Sequence, residues 1–240
     1  MSKKIKFAMD SRAIRTKNRV KKSLEGNFQY HHLALSRSKK FLRKHDSERL
    51  PMFVLYVDLI GSTKMSSDLS PDTLNVIIRT FSQEMAYVIE DFGGFVLKFV
   101  GDAVLAYFFD KENTDKKAED VIECAKTMCN VIDNTINPIL EEEGFPKIQI
   151  KVTIDFGDCS IVRYGADKFR SHIDIIGLTL NLAAKMQNYS QPNQIIIGKS
   201  IFTKLSSRTK KSFKKIKTDK KRWIFHQAKT KKPYSIYHNI

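Results

Sequence analysis

The sequence is short of the residues that mark several common architectures. Three cysteines among 240 residues, Cys124, Cys129 and Cys159, are odd in number and lack CxxC spacing. That excludes a disulfide scaffold and a cysteine zinc site. Six prolines and ten glycines, without period, exclude a collagen-like rod and low-complexity disorder. No apolar run approaches the roughly 20 residues needed to cross a bilayer, and Met1 to Phe7 lacks the apolar stretch of a signal peptide, so a cytoplasmic protein with no integral membrane segment is expected. Acidic residues are scarce at both ends. Residues 1–50 hold 4 against 15 Lys and Arg, and residues 201–240 hold 1 against 13, whereas the middle holds 21 against 14. The net charge of +16 therefore belongs to the termini. Such ends suit a polyanion contact or simply a lysine-rich surface; neither regular aromatic interleaving nor a recognition-helix pattern accompanies them.

What is present is the composition of a folding chain, 42% apolar and 28% charged, sized for one domain with a short appendage. Residues 1–49 read as a basic N-terminal extension with a helix around His32 to Lys44, and 50–240 as a domain. Met52 to Asp58 is an apolar, β-branched and aromatic run, as in a strand buried on both faces, and it stops at a carboxylate. A polar turn, Gly61-Ser62-Thr63, follows. Ser70-Pro71 is an N-cap with proline at the first helical position, and Leu74, Ile77, Ile78, Phe81, Met85, Val88 and Ile89 recur at helical spacing. Phe95–Val100 and Ala103–Phe109 form a hairpin across Gly101-Asp102. A second helix is expected from Thr114 to Asn137, a strand over Lys147–Phe156 with Cys159–Tyr164 pairing back across Gly157-Asp158, a helix over Thr179–Tyr189, and closing strands after it. The order β-α-β-β-α-β predicts a ferredoxin-like α+β sheet with helices on one face and extra C-terminal strands.

Two carboxylates hold special places, Asp58 where a buried strand ends and Asp102 at the tip of the hairpin. If the first and second strands lie side by side, both carboxylates reach one sheet edge. Paired hard oxygen ligands suit Mg²⁺ or Mn²⁺, two ions sharing the site, with water and substrate phosphate completing the shell. Leu59 to Thr63 offers backbone N–H groups and the Ser62 and Thr63 hydroxyls, a cradle for a triphosphate.

Three segments, Phe53 to Thr63 with Asp58 and Gly61, Gly94 to Phe108 with Lys98 and Asp102, and Asp174 to Met186 with Asn181 and Lys185, resemble the signature blocks of class III nucleotidyl cyclases, the adenylate and guanylate cyclase catalytic domain. The resemblance implies the following roles. Asp58 and Asp102, with the main-chain carbonyl of Leu59, hold two metal ions. Lys98 and Asp174 read the base: a lysine donor meets adenine N1 and a carboxylate accepts from the N6 amine, whereas guanine presents the opposite polarity, so ATP is the expected substrate. Asn181 positions the ribose. Lys185 stands where the family has an arginine that stabilises the α-phosphate, and Lys151 where it has a phosphate-directed arginine. Lysine keeps the charge and loses the planar fork, which costs about 2.7 to 4 kcal/mol if it fails to reach the developing charge. One of Lys229, Lys231 or Lys232 matches the lysine directed at the β- and γ-phosphates. In homodimeric relatives the metal aspartates come from one copy and the base pair, asparagine and following basic residue from the other, so a head-to-tail homodimer is expected. The alternatives are a cyclase for GTP or a pyrimidine triphosphate, a cyclase-like nucleotide-binding module with little turnover, and a nucleic-acid contact through the basic ends.

Overall fold

A computed structural model describes residues 3–27, 32–219, 223–227 and 232–240. Among them one mixed sheet runs through the molecule. Its strands are β1 (Arg49–Leu59), β2 (Phe95–Val100), β3 (Ala103–Phe108), β4 (Ile150–Tyr164), β5 (His172–Ile176), β6 (Gln194–Gly198), β7 (Phe213–Lys215) and β8 (Ile236–Asn239). The order is β2-β3-β1-β4-β6-β8-β7, with β5 paired to the distal part of β4. All pairs are antiparallel except β4 with β6.

Alternation along the strands separates two cores. Phe53, Leu55, Val57 and Leu59 of β1 point to the first face with Val152 and Ile154 of β4. There they meet α4 (Pro71–Asp91) and α5 (Thr114–Val131), whose buried residues fall at the expected helical spacing. Leu50, Met52 and Val54 point to the second face with Leu105, Tyr107, Ile173 and Ile175. The helical layer expected on one face is thus present. The opposite face is covered as well, by α7 (Leu178–Met186) and by Leu42 of α2 (His32–Lys44).

Four local expectations are corrected. β3 lies between β1 and β2, so the first and second strands are not neighbours. Residues 150–164 form one continuous strand: Gly157 and Asp158 pair with Met52 and Pro51 of β1 rather than turning. Gly157 serves close packing, because a Cβ there would stand 2.5 Å from the Thr179 hydroxyl of α7. Ser62 and Thr63 open a short helix, α3 (Ser62–Asp68), in place of a turn. The long helix after Thr114 slips into a π turn at Ile132–Ile136 before α6 (Asn137–Glu142). Pro138 explains the slip, since it has no N–H to continue the i→i−4 ladder, and the Asn137 N–H reaches back five residues to Ile132.

The residues before β1 also fold. α1 (Lys3–Leu24) lies against α4, where Arg19 makes a two-pronged ion pair with Glu84 at 2.7 and 2.5 Å and covers the Tyr87 ring at 3.9 Å. Ser23 and Thr80 exchange a buried hydrogen bond beside it. α2 passes over the sheet edge at β2, with Ala34 in the first-face core and Leu42 in the second. No helix among the described residues is long and apolar enough to cross a membrane.

Candidate functional site

The alternation that buries Val57 and Leu59 on the first face places Asp58 on the second. Its direct partners in the ladders are Lys151 of β4 and Ala103 of β3. Ala103 follows Asp102, and the tight hairpin that holds Asp102 needs Gly101 in the left-handed region at φ 60°. Leu59 N–H donates to the Asp102 carbonyl at 3.4 Å, fastening the hairpin tip to the end of β1. Lys151 Nζ stands 2.9 Å from Asp58 Oδ2. Burial pushes the Asp58 carboxyl above its ordinary range; Lys151 pulls it back by bond and charge, and the neighbouring Asp102 pushes it further up. The two carboxylates thus share one half-buried spot. Just beyond it Gly61, also left-handed at φ 75°, starts α3, whose first turn has no side-chain cap. The N–H groups of Ser62 and Thr63 sit there beside their hydroxyls.

Further along the same face, Lys98 Nζ donates to Asp174 Oδ2, joining β2 to β5. A bulge between Val96 and Lys98 resets the strand so that Lys98 points this way. Asp174 Oδ1 accepts from the N–H of Ile175 at 2.9 Å. Two further residues belong here that sequence reasoning missed. The Tyr56 phenol is pushed up by burial and by the charge of Asp174. His172 Nε2 lies 3.8 Å from Asp174 Oδ2, with its ring against Tyr164 at 5.8 Å. The signal that could have found them is the two-residue period: Tyr56 precedes Asp58 by two and His172 precedes Asp174 by two.

α7 turns Leu180, Leu182, Ala183 and Met186 inward and leaves Asn181 and Lys185, four apart, exposed side by side. Thr153 anchors the helix by donating to the Ala183 carbonyl at 2.8 Å. The structure therefore brings together Asp58, Asp102 and Lys151, separately joins Lys98 to Asp174, and leaves Asn181 and Lys185 open to solvent. Lys229 and Lys231 lie outside the described residues; Lys232 is exposed.

Among the described residues no group of three or more His, Cys, Asp or Glu forms a cage for a metal. Asp58 and Asp102 with the Leu59 carbonyl make a donor set of hard oxygens that leaves most of a shell to water and phosphate, which fits Mg²⁺ or Mn²⁺ rather than a caged ion. The ammonium of Lys151 against Asp58 shows the spot drawing a cation.

Comparison with known proteins shows the family and the fold. The sequence profile of the adenylate and guanylate cyclase catalytic domain matches residues 47–236. A cytidylate cyclase of Staphylococcus aureus is 32% identical over 170 residues, 69% of this chain and 40% of that protein. An adenylate cyclase of Anabaena cylindrica is 28% identical over 166 residues, 65% of this chain and 31% of that protein. The chain thus spans less than half the length of these curated relatives. Among solved structures, the adenylyl cyclase CyaB from P. aeruginosa superposes with a TM-score of 0.66 at 23% identity, over 80% of this chain and 95% of that one, a likeness of fold.

Proposed function

Because the chain belongs to the adenylate and guanylate cyclase catalytic-domain family, we propose that it converts ATP to 3′,5′-cyclic AMP and pyrophosphate at sites shared between two copies of the chain. The observation that carries the reading is the Lys98–Asp174 pair on the sheet face that also bears Asp58. A lysine donor beside a carboxylate acceptor complements a ring nitrogen next to an exocyclic amine. Adenine presents that edge with N1 and N6. Cytosine presents it too, with N3 and N4. Guanine and uracil offer a carbonyl beside an N–H and leave both protein groups mispaired. A second reading, a cytidylate cyclase, is therefore compatible with the same pair, and the 32%-identical relative favours it.

In the reaction the 3′-oxygen attacks the α-phosphorus, the bond from that phosphorus to the bridging oxygen breaks, and pyrophosphate leaves with the electron pair. Asp58, Asp102 and the Leu59 carbonyl would hold two divalent ions, Mg²⁺ or Mn²⁺. When bound, these supply acidification of the 3′-hydroxyl and neutralisation of the leaving charge. Lys151 sits directly opposite Asp58 in the β1–β4 ladder and can turn its ammonium from the carboxylate to a phosphate oxygen. The N–H groups of Gly61, Ser62 and Thr63 with the two hydroxyls line the triphosphate. Asn181 orients the ribose, and Lys185 offers a single point charge to the α-phosphate. Both face away from their own protomer's core, so a second copy presents them to Asp58. Lys185 keeps the charge without the two-pronged hold of an arginine, which favours slow turnover.

The test is to incubate the purified protein with each of the four nucleoside triphosphates and Mn²⁺ and identify the products. Cyclic AMP with equimolar pyrophosphate is expected. Cyclic CMP as the main product selects the second reading, and cyclic GMP or cyclic UMP overturns the role given to Lys98 and Asp174. Nucleotide binding without any cyclic product makes the domain a binding module.

A further inference from the structure

Lys98 and Asp174 stand on strands that share no ladder. β2 is the outer strand beyond β3, and β5 pairs only with the far part of β4. Strand pairing alone does not fix the distance between their side chains. α2 contacts both strands.

At its middle, α2 grips the start of β2. The Phe41 ring lies 4.9 Å from Phe95 and 5.5 Å from Phe109, and the Arg37 guanidinium lies 4.9 Å over Phe95. Ser38 Oγ donates to the Tyr107 hydroxyl at 3.2 Å on the adjoining strand. At its C-terminal end it grips the segment leading into β5. Arg43 Nη1 donates to the Lys168 carbonyl at 2.6 Å and Nη2 to the Ser171 carbonyl at 2.8 Å. In the turn after the helix, Asp46 accepts from Arg163 Nε at 2.6 Å, and the same guanidinium reaches the Ala166 carbonyl at 3.0 Å. Residues 166–171 are thereby held from both sides, and Ser171 lies three extended residues, about 10 Å, before Asp174.

We propose that α2 is a strut that sets the gap between Lys98 and Asp174, and that Arg43 is the positioning residue through which it acts on base selectivity. The inference rests on the base-reading role proposed above for that pair. A planar guanidinium with two donors on two carbonyls fixes orientation as well as distance, and a lysine at the same place keeps only one such bond. Selectivity between an amine-bearing and a carbonyl-bearing base depends on both protein groups meeting the base edge at once. A shift of the β5 end therefore weakens binding of the preferred base more than that of the others.

The experiment measures steady-state kinetics of the full chain with ATP, CTP, GTP and UTP for the wild type, Arg43→Gln, Arg43→Lys, Lys40→Ala and Lys98→Ala. Lys40 is exposed on the same helix and serves as the control. Arg43→Gln is expected to raise KM for the preferred nucleotide about tenfold with kcat within about twofold, and to narrow the preference over the other nucleotides at least fivefold. Arg43→Lys should restore about half of the preference, and Lys40→Ala should match the wild type. An equal fall of kcat for all four nucleotides with unchanged ratios, or no change, overturns the proposal. If Arg43→Gln does not fold, the ratio measured for Arg43→Lys decides: a preference identical to the wild type overturns it. Lys98→Ala separates the two layers of argument. If it leaves the preference intact, the base-reading role itself fails; if it abolishes the preference while Arg43→Gln does not, only the strut is lost.

Discussion

Along β1, neighbouring residues serve opposite ends. Phe53, Leu55, Val57 and Leu59 point to the first face and are at most 2% exposed, while Tyr56 and Asp58 between them stay half-buried on the second. The first face is packed by α1, α4 and α5, and it sets stability. The second face is packed only in part, and the gaps in its cover are where Asp58, Lys98, Asp174 and the open side of α7 meet solvent. The difference teaches that a twisted sheet can keep its core and its chemistry one residue apart, because successive side chains have no face in common.

The sharpest way to break this contrast is to change Asp58 and Val57 in parallel. Asp58→Ala is expected to lower cyclic-nucleotide formation by about 1000-fold or more, as loss of the proposed metal carboxylate removes several kcal/mol of charge stabilisation, while the melting temperature stays within about 3 °C. Val57→Ala should do the reverse: a cavity under a fully buried side chain costs about 2 to 3 kcal/mol, roughly 5 to 10 °C in a domain of this size, with turnover per folded molecule retained. Turnover assays beside thermal melts of the two proteins decide it; similar profiles for both would mean that the two faces are not separable.

The next contrast lies between the two N-terminal helices. Among its described side chains α1 serves the first face, through Val20 in the core and Arg19 on Glu84, whose carboxylate is 1% exposed. Arg19→Ala strands that charge, and a loss of about 3 to 5 kcal/mol is expected from the urea midpoint, with nucleotide preference unchanged. A loss below about 1 kcal/mol would mean that α1 is not part of the folded unit. Arg43→Gln in α2, on the second face, should show the opposite balance, selectivity lost with little stability. The basic charge of the first 50 residues is in part consumed in this way: Arg12, Arg19, Arg37 and Arg43 all bond to the domain.

The two helices also divide what sequence patterns reveal: α2 was expected over His32 to Lys44, and α1 was not. β1, the hairpin at Gly101-Asp102 and the start of α4 were legible because each is a local signal, an apolar run, a tight glycine turn and a cap. α1 was not, since it is held by Arg19–Glu84 and Ser23–Thr80, polar pairs that hydrophobic periodicity does not register. β5 is five residues long and its ladder partner is the far end of β4, a distant piece of chain, and β4 hides its continuity behind Gly157-Asp158, a pair that spells a turn but admits α7 instead. The proposed site followed the same rule. The places of Asp58 and Asp102 were readable from where their strands end, the pairing of Lys98 with Asp174 was suggested only by family resemblance, and Tyr56 and His172 joined them once the strands were paired.

The second face also contains a carboxylate closed off from solvent, and it offers the smallest and most quantitative test of the contrast. Asp155 is 1% exposed; its Oδ1 accepts from the Tyr234 hydroxyl at 2.7 Å and from the Phe156 N–H at 2.9 Å. Gly198 leaves it room, since a Cβ there would collide with the carboxylate. Burial pushes the Asp155 carboxyl up to about 7, with both hydrogen bonds pulling the other way. In the unfolded chain the same group titrates near 3.9. Between those values the native state holds a proton that the unfolded state has released. The stabilisation is therefore complete at the acid end and is lost as pH rises through about 7. From pH 5 to pH 8 the wild type should lose about 2 to 4 kcal/mol relative to Asp155→Asn, which accepts the same two bonds and has no proton to lose. Urea midpoints of the two proteins at unit steps of pH measure the difference directly, and other ionisable groups cancel between them. Parallel curves would show that burial does not hold the proton on Asp155 and that the second face is open to water along the whole of β4.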